Sequence, residues 1–342
     1  MAAQRICFMH VGTGKTGSSA LQYTLVHTRA ELQRCGYHFP DLGRSFRKQI
    51  ENGWATGGNA SPVCHALRKR DPRAALEIIT PFANSSDHII LSNEGLYKTK
   101  PAILNEFCEG LRALGYIPKA LIFFRPQVEH TVSAFLQQVK AGRNATLDVN
   151  EFAIAQDYAH KRNWDAVANQ LENVFGRGNL SVRWFPAVVR EEGLDKALFD
   201  WLGLAVPQLT TPRINPAPSL EALYVINLLV RHRLGRRRFF DRMLEAARGQ
   251  GLLGAKISLS TESAQKVHNA SYESNKALLT RWCPELSASD ELRLPDAYKE
   301  PSLDHSVVQQ LKAIAAQMLL EDGVDTATIE RAFGATDALA ES

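Results

Sequence analysis

The chain has few cysteines and no long apolar run, and each shortage excludes a class of protein. Five cysteines, Cys7, Cys35, Cys64, Cys108 and Cys283, are scattered over 342 residues. Their number is odd, and none forms a C-x-x-C pair or shows the Cys/His spacing of a zinc site, so neither a disulfide framework nor a metal site is expected. Free thiols suit a reducing compartment, and the chain reads as cytoplasmic. No apolar stretch approaches the roughly 20 residues needed to cross a bilayer; the one near the N-terminus is about seven long and no cleavage site follows it. Charge of one sign is also lacking, since 40 Lys and Arg against 36 Asp and Glu leave +4. That surplus demands no nucleic acid, yet it is compatible with a small anionic ligand. There is no internal repeat, low-complexity segment or long Gly/Ser linker. Hydrophobic residues at 45% and charged residues at 22% then place the chain among folded globular proteins.

What is present alternates between strand and helix. Ile6-Cys7-Phe8-Met9-His10-Val11 is an almost unbroken apolar run stopped by Gly12-Thr13-Gly14, the pattern of a strand buried on both faces in a parallel sheet. From Ser18 to Gln33, Leu21, Leu25 and Leu32 recur at helical intervals. Further strands are expected at His88–Ser92, Ala120–Phe124 and Leu180–Phe185, with helices over Gln127–Ala141 and Trp164–Phe175. This order predicts an α/β fold, a doubly wound and mainly parallel sheet flanked by helices. After Pro207 the pattern is helical, over Ser219–Arg248, Ser263–Trp282 and Leu303–Gly334. The expected organisation is a nucleotide-binding core over residues 1–205 and a helical C-terminal region over 206–342 packed on the same core. Asp41–Pro62, rich in glycine and without periodicity, reads as a long surface loop of the lid or binding kind.

The first strand leads into Gly12-Thr13-Gly14-Lys15-Thr16-Gly17-Ser18-Ser19. A glycine loop between a buried strand and a helix aims backbone N–H groups at one anion, here with a lysine and hydroxyls beside them. As a nucleoside triphosphate motif it is incomplete, because G-x-x-x-x-G-K-[ST] requires glycine where Met9 stands.

Lys15-Thr16-Gly17-Ser18-Ser19 resembles instead the 5'-phosphosulfate loop of sulfotransferases that use 3'-phosphoadenosine 5'-phosphosulfate (PAPS). A second motif is similar to that family's 3'-phosphate site: Arg125 follows Phe123-Phe124, and Ser133 lies eight residues on. Met9 to Gln22, together with Ile90-Leu91-Ser92-Asn93-Glu94-Gly95-Leu96, looks like the bacterial branch that sulfates saccharides, and the likeness extends weakly over Arg5 to Leu204. The R-K-G-x-x-G-D-W motif of the cytosolic animal members is absent, which leaves the residues closing over the nucleotide unassigned. The resemblance implies a P-loop-like fold and PAPS as co-substrate, with no metal required. It also implies nucleotide contacts from Gly14, Lys15, Thr16, Gly17, Ser18, Ser19, Arg125 and Ser133.

Sulfuryl transfer places growing negative charge on a leaving phosphate, and Lys15 is the group to neutralise it. Glu94, at the carboxyl end of the second apolar strand, is the candidate base for the acceptor hydroxyl; His10, at the end of the first, is held in reserve for the same role. Each residue also has a plain structural alternative: a tight turn for the loop, a surface ion pair for Arg125, a helix cap for Glu94 and a hydrogen-bonded core imidazole for His10. The basic run Arg231-His232-Arg233-Leu234-Gly235-Arg236-Arg237-Arg238 is a solvated helix face or, over residues 231–242, a contact for an anionic membrane surface. Nucleic acid is not expected there, because the aromatic interleaving is confined to Phe239 and Phe240. The expected activity is sulfuryl transfer from PAPS to a carbohydrate or glycolipid hydroxyl. The alternatives are a degenerate P-loop kinase or ATPase, separable by magnesium dependence, and a non-catalytic nucleotide-binding interaction protein.

Overall fold

β1 (Arg5–His10) is the middle strand of a five-stranded parallel sheet in the computed structural model, which describes residues 4–41, 58–83, 88–141, 148–155, 162–206, 218–252, 254–295 and 302–334. The others are β2 (Tyr37–His38), β3 (His88–Ser92), β4 (Tyr116–Phe124) and β5 (Leu180–Trp184), in the order β2-β3-β1-β4-β5. The expected doubly wound sheet is therefore present. After β3 the chain crosses to the far side of β1 to form β4. This reversal makes the carboxyl ends of β1, β3 and β4 the place where such sheets open a ligand crevice.

Strand alternation divides the apolar residues between two faces. Cys7, Met9, Ile89, Leu91, Ile122 and Phe124 enter one buried cluster, whereas Phe8, Ile90, Leu121 and Phe123 enter another. The second face is covered by α1 (Ser18–His27) and α2 (Arg29–Arg34) through Leu21, Leu25 and Leu32. The first is covered by α3 (Ser61–Arg68), α4 (Pro72–Ile79) and α5 (Pro101–Ala113), among others. With both faces shielded, the strands can be apolar almost throughout.

The remaining helices are α6 (Gln127–Lys140), α7 (Val149–Ala155), α8 (Trp164–Phe175), α9 (Phe185–Glu191), α10 (Leu194–Leu202), α11 (Leu220–Arg231), α12 (Arg237–Gly249), α13 (Thr261–Trp282), α14 (Ala288–Glu291), α15 (His305–Glu321) and α16 (Thr326–Gly334). Contacts group the chain into two compact units, residues 1–126, 162–215 and 271–293 in one and 127–161, 216–270 and 294–342 in the other. The units interleave along the chain. The sheet lies wholly in the first. In the second, α6, α11, α12 and α15 bury Phe135, Ile226, Phe240 and Leu311 in an apolar cluster of that unit's own. The same unit buries Glu221 completely, and its carboxylate accepts from the backbone N–H of Ala255 at 3.0 Å and of Asp304 at 3.2 Å.

Several expected helices are split. Ser18–Gln33 breaks at Thr28, whose hydroxyl bonds back to Thr24 O at 2.8 Å and competes with continuation of the helix. Ser219–Arg248 breaks after Arg231, where Arg233 (φ 57°) and Gly235 (φ 75°) turn the chain. Phe239 and Phe240 then face inward as core, not outward as a stacking platform. Leu303–Gly334 breaks at Gly323 (φ 84°). Most of the expected Asp41–Pro62 loop lies outside the described residues, but its end is not surface: Asn59 and Ala60 are buried against the end of β3. Among the described residues no helix is long and apolar enough to cross a membrane.

Candidate functional site

The register of β1 and β3 pairs His10 with Ser92, so their side chains leave the sheet on the same side. His10 Nδ1 lies 2.9 Å from Ser92 Oγ, and Ser92 Oγ also accepts from Gln22 Nε2 at 3.3 Å. The Ser92 backbone N–H donates to Asn59 Oδ1 at 2.7 Å, while Asn59 Nδ2 donates to Ile90 O at 3.0 Å. This network fixes the imidazole where the strand ends. Burial lowers the pKa of His10 from 6.5 to about 4, so the ring is neutral at pH 7.

Beyond Val11 the chain turns into the glycine loop. Thr13 Oγ1 donates to Phe123 O at 2.9 Å, which ties the loop to the end of β4. Gly14, Lys15 and Gly17 have φ of 72°, 62° and 77°. Glycine adopts this left-handed conformation without penalty, whereas lysine does not. The strained Lys15 is braced by Arg125, whose Nη1 donates to Lys15 O at 3.2 Å. Arg125 is in turn placed over the Phe185 ring at 5.4 Å, and its own carbonyl accepts from Trp164 Nε1 at 2.8 Å. A Cβ on Gly17 would overlap the Leu194 side chain, which would have to move.

Helix α1 begins at this turn without a side-chain cap and without an acidic residue in its first turn. The helix therefore brings no acidic residue of its own to its positive end. Thr16 and Ser18 are buried, and Thr16 Oγ1, Ser18 Oγ and His10 Nε2 have no hydrogen-bond partner among the described residues. The last two converge on one point, since a Cβ on Gly12 would lie 2.8 Å from His10 Nε2 and 3.2 Å from Ser18 Oγ. Leaving a buried polar group unmatched costs about 1–3 kcal/mol. Here three such atoms lie between the end of β1 and the first residue of α1.

Glu94 follows β3 and reaches the same loop, with Oε2 3.3 Å from the position of a Cβ on Gly14. The structure thus gathers His10, Gly14, Lys15, Thr16, Gly17, Ser18, Glu94 and Arg125 at one edge of the sheet, with Ser19 in the first turn of α1. Ser133 lies on α6, in the second unit. Among the described residues no group of three or more His, Cys, Asp or Glu is placed to hold a metal ion. Gln22, Asn59 and Ser92 were not foreseen from sequence. The available signal was polarity at positions that periodicity assigns to the core, as with Gln22 beside Leu21.

No family model matches the chain, and no curated protein matches it. Among solved structures, a sulfotransferase from Alicyclobacillus acidocaldarius aligns at a TM-score of 0.39 and 18% identity, over 65% of this chain and 90% of that one. The functional reading rests on the residues of the site themselves.

Proposed function

We propose that the chain is a sulfotransferase that moves a sulfuryl group from PAPS to a hydroxyl acceptor, a carbohydrate or glycolipid. The observation that carries this reading is the set of three buried, unmatched polar atoms, His10 Nε2, Thr16 Oγ1 and Ser18 Oγ, around the left-handed turn that presents Lys15. They suit a guest that is anionic and rich in acceptor oxygens. When bound, the phosphosulfate supplies the sulfuryl group and a phosphate that leaves with the electron pair of the broken S–O bond. The Thr16 and Ser18 hydroxyls donate to its oxygens. Lys15 neutralises the charge that grows on the bridging oxygen, a preorganised contribution of the type that commonly dominates catalysis. Glu94 accepts the acceptor's proton as the new O–S bond forms.

His10 has a different part. In this reading the Ser92 hydroxyl accepts from Gln22 and donates its hydrogen bond to His10 Nδ1, the tautomer that carries the hydrogen of the neutral ring on Nε2. The imidazole is thereby a donor toward the anion, with its other ring nitrogen already engaged by Ser92. Arg125 has a guanidinium at the end of β4 for the 3'-phosphate.

The test is turnover with PAPS and a saccharide acceptor, followed by release of adenosine 3',5'-bisphosphate. Lys15→Ala should lower kcat by about 10²- to 10³-fold with much less effect on nucleotide affinity. Magnesium-dependent consumption of ATP in place of PAPS would refute the reading.

A further inference from the structure

We infer that Asn93 and Ser61 are positioning residues for the Glu94 base: the Asn93 amide, anchored on the Ser61 hydroxyl, closes the turn that carries Glu94 and holds its carboxylate against the Gly14 turn. The inference rests on the sulfotransferase reading with Glu94 as proton acceptor, and adds the groups that place it.

Glu94 stands beyond the end of β3, where the sheet no longer holds the chain. The Asn93 N–H still donates to His10 O at 3.1 Å; the chain then reverses, and the Leu96 N–H meets Asn93 O at 3.4 Å. Glu94 is therefore the second residue of a four-residue turn. Among the described residues its carboxylate accepts no hydrogen bond and forms no ion pair, so its direction comes from the backbone beneath it. A base must come within about 3.2 Å of the proton it takes, and a misplacement of about 1 Å can cost about 10²-fold in rate. The turn itself has to be held.

The buried Asn93 amide holds it from both ends. Its Oδ1 accepts from the Gly95 N–H at 2.7 Å, an Asx turn that spans Glu94. Its Nδ2 donates to Ser61 Oγ at 3.2 Å. Ser61 opens α3, and its hydroxyl hydrogen is committed to Gly58 O at 2.8 Å, which leaves its lone pairs for the amide. The anchor is in turn fastened to β3: a Cβ on Gly58 would overlap Ser92 O, and the Ala60 N–H donates to that same carbonyl at 3.2 Å. Gly95 fits the same arrangement. Its φ of −93° is ordinary for this place in a turn. Yet a Cβ on it would lie 2.9 Å from Asn93 Oδ1 and 2.8 Å from Cys64 Sγ, and would collide with Arg68 Nη2, which is seated over Gly95 from the last turn of α3. Glycine is needed there for the close approach of the amide and of α3, not for its backbone angle.

The test joins amide exchange to kinetics, both on the full chain. Hydrogen exchange of the Gly95 N–H, followed by NMR, should quicken by about tenfold in Asn93→Ala, as the loss of one hydrogen bond implies. With PAPS and p-nitrophenyl β-D-glucoside, Asn93→Ala should lower kcat by about 10- to 10²-fold and leave the Kd of adenosine 3',5'-bisphosphate unchanged. In a Glu94→Gln background the same substitution should cost less than about twofold, because no base remains to be placed. Ser61 is exposed, and Ser61→Ala, the variant to use if Asn93→Ala does not fold, should shift exchange and kcat in the same directions, with Ser61→Thr restoring both. Unchanged exchange at Gly95, an unchanged kcat, or a loss that persists in full beside Glu94→Gln overturns the positioning role. No transfer by the wild-type chain, or normal transfer by Glu94→Gln alone, would instead overturn the reading beneath it.

Discussion

Replacing Lys15 by glycine should make the protein more stable than replacing it by alanine, although both variants lose transfer. Lys15 holds a φ of 62°, and alanine at that position would keep the same left-handed backbone. A residue with a Cβ pays about 1–2 kcal/mol there, a strain that glycine does not feel. Glycine in turn loses about 0.5–1 kcal/mol more conformational freedom on folding. The middle of each range leaves Lys15→Gly about 0.75 kcal/mol more stable than Lys15→Ala. At a urea slope near 2 kcal/mol/M, the midpoint should rise by about 0.3–0.5 M. The comparison cancels the loss of the ammonium group, which both variants share. A glycine midpoint equal to or below that of alanine would refute the claim that the loop stores strain at this lysine. The strain is maintained by contacts made elsewhere, Arg125 to Lys15 O and Thr13 to Phe123 O.

Other outcomes follow from the same geometry. Because the pKa of His10 is lowered to about 4 in the fold, the unfolded chain binds the extra proton first as pH falls below 6.5. Wild type should therefore lose about 3 kcal/mol relative to His10→Gln between pH 6.5 and 4, and parallel stability curves would contradict this. Glu94→Gln should bind adenosine 3',5'-bisphosphate normally while transfer falls by about 10²- to 10⁴-fold; transfer near the wild-type rate would move the proton acceptor elsewhere. Glu221→Ala removes the acceptor of two backbone N–H groups and should cost about 2–6 kcal/mol in urea denaturation, whereas a loss below 1 kcal/mol would show that the buried carboxylate is dispensable.

The sheet was legible where apolar runs were unbroken. β1, β3 and β5 needed only local patterning, and the loop after β1 was readable because all its residues are consecutive. The start of β4 was not, since Pro118 and Lys119 interrupt the run. They are tolerated because β5 pairs only from Ala120 onward and leaves Pro118 without a neighbour on that side. β2, two residues long, carries no pattern. The sequence reading also passes over α5, although Leu104, Phe107, Cys108 and Leu111 stand at the spacing of one helical face. The site divides in the same way. Lys15, Thr16 and Ser18 announce themselves within one motif. The His10–Ser92–Gln22 network depends on strand register, and the seating of Arg68 over Gly95 depends on how α3 packs, neither of which is visible in a linear pattern.

The central claim is a site for a nucleotide with phosphates at both the 5' and 3' positions, and calorimetric titration tests it most directly. Adenosine 3',5'-bisphosphate should bind one equivalent per chain, about tenfold or more tighter than adenosine 5'-monophosphate, the difference expected from charge-assisted contacts to the 3'-phosphate. Arg125→Ala should remove most of that difference. Absence of binding, equal affinity for the monophosphate, or tighter binding of ATP with magnesium would contradict the account.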